Sequence, residues 1–132
     1  GWHDQGVSDV KSWHVYFRPY RFKNDAHGRA VVLSEFGGYN RRLAGHSYSA
    51  RDFGYKRYRS DEALAEAVER LYQKEILPAI PLGLSATVYT QLSDVEEETN
   101  GLLTYDRAVE KLPAERMRKI NACLYAALQG KA

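Results

Sequence analysis

Three stretches of the chain have the apolar patterning of strands. Residues 10–16, VKSWHVY, alternate and are rich in aromatic and β-branched side chains. Residues 30–34, AVVLS, run continuously apolar, as a strand does when a parallel sheet is covered on both faces. Residues 84–90, LSATVYT, form the third. Two further stretches repeat at helical spacing. Ser60 is placed to cap a helix, with Asp61 and Glu62 in the first turn where the helix dipole favours acids. Leu64, Ala67, Val68, Leu71 and Ile76 then follow on one face, and Pro78 is expected to stop the run. Pro113 is expected to open the second helix, Met117, Ile120, Leu124 and Ala127 to form its stripe, and Gly130 to cap its end.

The order is strand, strand, helix, strand, helix. The helix-to-strand link is short and carries Pro78, Pro81 and Gly83, whereas both strand-to-helix links, 35–60 and 91–112, are long. Long loops in compact domains are usually functional. Loops that follow strands gather at the C-terminal face of a parallel sheet, where α/β folds and barrels place their active sites. The predicted fold class is therefore α/β, with parallel strands and flanking helices. The link between the first two strands, 17–29, is barely long enough for a parallel crossover and leaves little room for a helix.

Composition narrows the field. The chain has 132 residues, 44% hydrophobic and 27% charged, enough for one modest domain with a core. A net charge of +2 is too small to imply a polyanionic partner, and no stretch approaches the ~20 apolar residues of a membrane span. Neither nucleic acid nor a membrane is an expected partner. Cys123 is the only cysteine, which rules out an intramolecular disulfide and disfavours a cysteine-based zinc site. His3, His27 and His46 are scattered without metal-ligand spacing. No metal and no cofactor are expected.

The stretch VVLSEFGGYN, residues 31–40, carries the chemistry. Strict alternation puts Glu35 on the same strand face as Val31 and Leu33, at the end of an apolar run and ahead of Gly37 and Gly38. A charge there is costly to desolvate unless something pairs with it. A carboxylate fixed at a strand end, with a glycine turn leaving room for a ligand, suits one half of glycoside hydrolysis, which needs two carboxyl groups facing one bond. His14 and Tyr16 lie two apart on the first strand and share a face. A different class of function is read from residues 41–59. There Arg41, Arg42, Arg51, Lys56, Arg57 and Arg59 interleave with Tyr48, Phe53, Tyr55 and Tyr58, as in single-stranded nucleic-acid binders. The alternative for this stretch is a long active-site loop whose arginine stems pack on tyrosine rings.

The pieces KSWHVY, LSEFGGY and, above all, YTQLSDVEEETNGLLTYDR closely resemble the last third of the catalytic barrel of glycoside hydrolase family 2, over nearly the whole chain. That family contains β-galactosidases, β-glucuronidases and β-mannosidases. The resemblance implies a retaining hydrolase of β-glycosidic bonds, β-galactosidase-like, built on a (β/α)8 barrel. Residues 1–132 would then be a single partial domain covering about strands six to eight. It also implies that Glu35 is the nucleophile, that Tyr16 hydrogen-bonds it, and that His14 contacts the sugar. Gln91, Asp94, Glu96 and Asn100, after the third strand, are expected to bind sugar hydroxyls; the alternative for the acids is pairing with Arg or Lys neighbours. The family's acid/base glutamate, usually preceded by asparagine, has no counterpart, since no Asn-Glu pair occurs. A full barrel needs about 250 residues. The expectation is a fragment, inactive alone, whose open sheet leads it to self-associate as a homo-oligomer. The chain reads YTQ where better-known members often carry a tryptophan.

Overall fold

A computed structural model describes residues 1–53 and 55–130. Three strands, β1 (Val10–Val15), β2 (Ala30–Gly37) and β3 (Leu84–Thr90), form one sheet in the order β1-β2-β3, with both pairings parallel. Two α-helices, α1 (Asp61–Leu71) and α2 (Ala114–Leu128), complete an α/β architecture. The 17–29 link carries no helix, as its length requires. It crosses as irregular chain with a turn at 25–28, anchored where buried Tyr20 donates its backbone N–H to Glu75 Oε2 at 2.6 Å.

The α1 helix starts as its sequence dictates. Ser60 is extended and its hydroxyl accepts the Ala63 N–H at 3.1 Å, with Asp61 and Glu62 in the first turn. Leu64, Ala65, Val68 and Leu71 are buried along one face. Pro78 does not end the helical path. The chain widens into a π turn over Tyr72–Ile76, then tightens into a 3₁₀ turn over Leu77–Ala79. Leu77 donates to the Tyr72 carbonyl five residues back, and Ile80 donates to the Leu77 carbonyl. Proline has no N–H to give, so the change of hydrogen-bond step absorbs it. In α2, Pro113 sits just ahead of the first helical residue rather than within the helix, and Gly130 follows the end at φ +67° with its N–H on the Ala127 carbonyl. Arg116 of α2 reaches Glu69 at 2.6 and 2.7 Å and Glu62 at 2.7 Å, which ties α2 to α1.

The β2 strand runs on to Gly37, so Glu35 lies inside the strand rather than at its end. Its buried residues are Val31, Leu33 and Phe36, a spacing of two and then three. The register explains the change of step. Trp13 pairs with Leu33 but His14 with Glu35, and on the other side Leu33 pairs with Thr87 but Phe36 with Tyr89. One extra residue is inserted in β2 against both neighbours, which is a β-bulge at Ser34–Glu35. Leu33 and Phe36 therefore both enter the core with Leu64, Val68, Tyr72 and Ile76, and Phe36 meets the Tyr72 ring edge-on at 5.6 Å. This corrects the expectation that Glu35 shares a face with Val31 and Leu33. Strict alternation fails at the bulge, and the two apolar residues already lie under the helices instead of on an open face.

Candidate active site

The bulge re-aims one side chain. Glu35 leaves the core side of β2 and faces the ends of the two neighbouring strands, with 42% of its side chain exposed. Tyr16, the residue after β1, donates its hydroxyl to Glu35 Oε2 at 3.1 Å and lies 2.8 Å from Thr90 Oγ1 at the end of β3. His14 Nδ1 lies 3.2 Å from the same Oε2, but off the hydrogen-bond direction, so this buried ring nitrogen has no hydrogen-bond partner. Burial is the main reason that the Tyr16 phenol is pushed well above the usual tyrosine range, with the Glu35 charge adding to it. That direction favours the protonated hydroxyl, the form that can donate.

Two glycines make this packing possible. Gly37 (φ +92°) lies against the Tyr89 ring and Gly38 (φ +63°) against the Tyr55 ring, each so closely that a Cβ would overlap the aromatic carbons. Both also take left-handed backbone, which glycine adopts without a side-chain clash. The Gly38 N–H donates to the Thr90 carbonyl at 3.0 Å, which fixes the turn to the end of β3. Around the carboxylate stands an aromatic wall. Tyr55 packs on Tyr16 at 5.2 Å and stacks on Phe17 at 5.9 Å, and Trp2 meets the His14 ring edge-on at 5.3 Å. Trp2 and Phe17 are mostly exposed. The Tyr55 phenol is also raised by burial, with the charges of Glu98 and Glu35 contributing.

The loop after β3 places the remaining expected residues differently from one another. Gln91 donates its amide N–H to Asn100 Oδ1 at 2.6 Å, and Asn100 donates in turn to Glu98 Oε2 at 3.2 Å. This row begins one residue beyond Thr90. Glu96 occupies the tip of the Val95–Glu98 turn at φ +51° and is exposed. Asp94 is buried, and its Oδ1 accepts from Lys111 Nζ at 2.6 Å and from the Gly101 N–H at 2.8 Å. Lys111, also fully buried, donates further to the carbonyls of Thr99 at 2.9 Å and Arg41 at 3.0 Å. The two long loops are joined again where Arg41 N–H bonds to Thr99 O and Phe53 N–H to Glu97 O.

His14, Tyr16 and Glu35 are thus brought together, Gln91 follows Thr90 and is held by the fully buried Asn100, and Asp94 and Glu96 make no hydrogen bond to the group. Thr90, Trp2, Phe17 and Tyr55 belong to the same surroundings and were not singled out as site residues by the sequence. Tyr55 was legible only as part of an aromatic loop, and nothing marked Thr90 beyond its place at a strand end. In the basic stretch, Arg41 pairs with Asp61, Arg57 with Asp52, and Arg42 donates to the Ser49 carbonyl, while Lys56 lies over the Tyr58 ring at 5.4 Å. Among the described residues no group of three or more His, Cys, Asp or Glu side chains could hold a metal ion, and no helix is long and apolar enough to cross a membrane. Compared with models of known protein families and with curated proteins, the chain matches none.

Proposed function

We propose that these residues form the nucleophile side of the active site of a retaining glycoside hydrolase acting on β-glycosidic bonds, β-galactosidase-like, and that the sheet is the portion of a (β/α)8 barrel from about its sixth to its eighth strand. The observation that carries the reading is Glu35 itself. A bulge turns it out of the core, and the Tyr16 hydroxyl at 3.1 Å holds its orientation. A carboxylate that accepts an oriented phenol bond at Oε2 keeps its other oxygen, Oε1, free for attack. In the reaction, Glu35 would attack the anomeric carbon while the glycosidic C–O bond breaks. The leaving oxygen would take a proton from a second carboxylic acid, which the resemblance assigns to a strand outside these residues. Water would then release the sugar from Glu35.

In this reading His14 and Tyr16 border the sugar, Gln91, held by the fully buried Asn100, offers a hydrogen bond to its hydroxyls, the Trp2, Phe17 and Tyr55 rings supply apolar surface, and Glu96 takes no part. Asp94 serves the loop through Lys111 rather than the sugar. The outer edges of β1 and β3 would pair with flanking strands of the barrel. In the isolated chain those edges, not the Val31–Leu33 face, are what a second copy would cover. The test is covalent labelling of the complete enzyme with β-galactoside, β-glucuronide and β-mannoside analogues. Each carries fluorine beside the anomeric carbon and a reactive aryl leaving group. Retaining chemistry at Glu35 gives time-dependent inactivation and a sugar-sized mass increment on the peptide containing residue 35. A label on another carboxylate, or no label with any of the three, overturns the assignment.

A further inference from the structure

Thr90 ends β3 opposite Gly37 of β2, and its carbonyl is held by the Gly38 N–H. Its hydroxyl lies 2.8 Å from the Tyr16 hydroxyl, which in turn lies 3.1 Å from Glu35 Oε2. Three oxygens thus stand in a row with two protons between them. A phenol has one proton and two acceptor lone pairs, and an ionised carboxylate can only accept. If the Tyr16 proton pointed at Thr90, phenol lone pairs would face the carboxylate oxygen at 3.1 Å, and two electron-rich oxygens would repel. The proton therefore lies toward Glu35, where the bond is charge-assisted. The 2.8 Å contact must then run the other way, with Thr90 as donor and Tyr16 as acceptor. Among the described residues Thr90 Oγ1 has no other hydrogen-bond partner that would claim its proton. The neighbouring Tyr55 ring packs on the Tyr16 ring at 5.2 Å.

We propose that Thr90 is a positioning residue for Glu35 and acts through Tyr16. By donating to the phenol oxygen, it leaves the single Tyr16 proton only one place to go. It also polarises that O–H and strengthens its bond to the carboxylate, as hydrogen bonds in a chain do. The branched Cβ of threonine restricts the rotamer, so the hydroxyl keeps its direction. This rests on the reading of Glu35 as nucleophile.

The experiment is a double-mutant cycle in the complete enzyme. Thr90→Val keeps the shape and removes the hydroxyl. It should lower kcat roughly three- to tenfold, the effect of one neutral hydrogen bond, with KM little changed. Thr90→Ser restores the donor and should return kcat to near the parent value. Tyr16→Phe should lower kcat roughly ten- to a hundredfold, the effect of a bond to a charged acceptor. In that background Thr90→Val should cost nothing more. An equal cost in both backgrounds, or no rescue by serine, overturns the proposal. A second readout does not depend on activity. With 3-fluorotyrosine at position 16, the ¹⁹F resonance should shift in Thr90→Val and stay in place in Thr90→Ser. If Glu35→Gln proves active, the nucleophile reading fails, and the fluorine line still decides the hydrogen bond: an unmoved line in Thr90→Val overturns it.

Discussion

Glu35→Gln in the complete enzyme will reduce turnover by about four orders of magnitude or more, as loss of a catalytic nucleophile does, and will leave the fold intact. Glutamine fills the same volume, and its amide can still accept the Tyr16 hydroxyl, so the packing around the bulge is kept. What disappears, in the proposed mechanism, is the anionic oxygen that would bond to the anomeric carbon. The reaction then stalls before the first C–O bond is broken, and binding is affected far less than rate. Glu35→Ala or Glu35→Gly should be equally slow but differ in one respect. Each leaves a gap beside Tyr16 into which a small anion such as azide can enter. Azide should restore turnover in these two variants and yield a glycosyl azide of inverted configuration, because attack then comes from the Glu35 side without a second displacement. It should restore the glutamine variant poorly, since the gap is filled. Steady-state rates on aryl glycosides and the configuration of the azide product check both statements. A Glu35→Gln enzyme within tenfold of the parent would remove the nucleophile assignment.

How much of this was written in the chain differs from element to element. The third strand has the residues that its composition indicated, Leu84–Thr90, and the Ser60 cap and the acidic first turn of α1 follow from local chemistry. The long loops after strands also behave as expected, since they gather around the ends of β2 and β3 and bond to each other. Strict alternation does not predict the bulge, although a trace of it is present. Apolar residues at 31, 33 and 36 cannot all share a face in an unbroken strand, and an inserted residue reconciles them. The continuous apolar run concealed that step, because Val32 is also apolar and gives no contrast. The π and 3₁₀ turns were concealed by Pro78, which reads as a stop in any local rule and is absorbed here by tertiary packing of Ile76 and Ala79. Thr90 was invisible for another reason. Its significance lies in a hydroxyl meeting a phenol 74 residues earlier in the chain, and no spacing rule connects those positions.

Lys111 gives the largest expected effect on stability. Its ammonium is fully buried and donates to Asp94 Oδ1, Thr99 O and Arg41 O, so all three of its protons have partners. Two of those acceptors lie in the loop after β3 and one in the loop after β2, and one side chain therefore clamps both loops that frame Glu35. Lys111→Met keeps most of the volume and removes the charge. It leaves the Asp94 carboxylate buried with only the Gly101 N–H to hold it, and breaking a buried pair in this way costs ~3–5 kcal/mol. Asp94→Asn combined with Lys111→Met should be less damaging than the sum of the two single changes, because no buried charge remains and the amide oxygen still accepts from Gly101. The pH dependence has a definite sign. Burial already raises the Asp94 carboxyl above the ordinary range, and the Lys111 bond opposes that rise. Removing Lys111 raises it further in the folded state. A carboxyl whose folded pKa lies above its unfolded one favours the folded state at low pH and loses that contribution as pH rises through the folded pKa. The deficit of Lys111→Met relative to the parent should therefore be largest near neutrality and shrink as the pH falls and Asp94 takes up its proton. Denaturant unfolding at several pH values measures this directly. A deficit below 1 kcal/mol at neutral pH, or one that grows on acidification, would mean that Lys111 and Asp94 do not hold the loops as a buried ion pair.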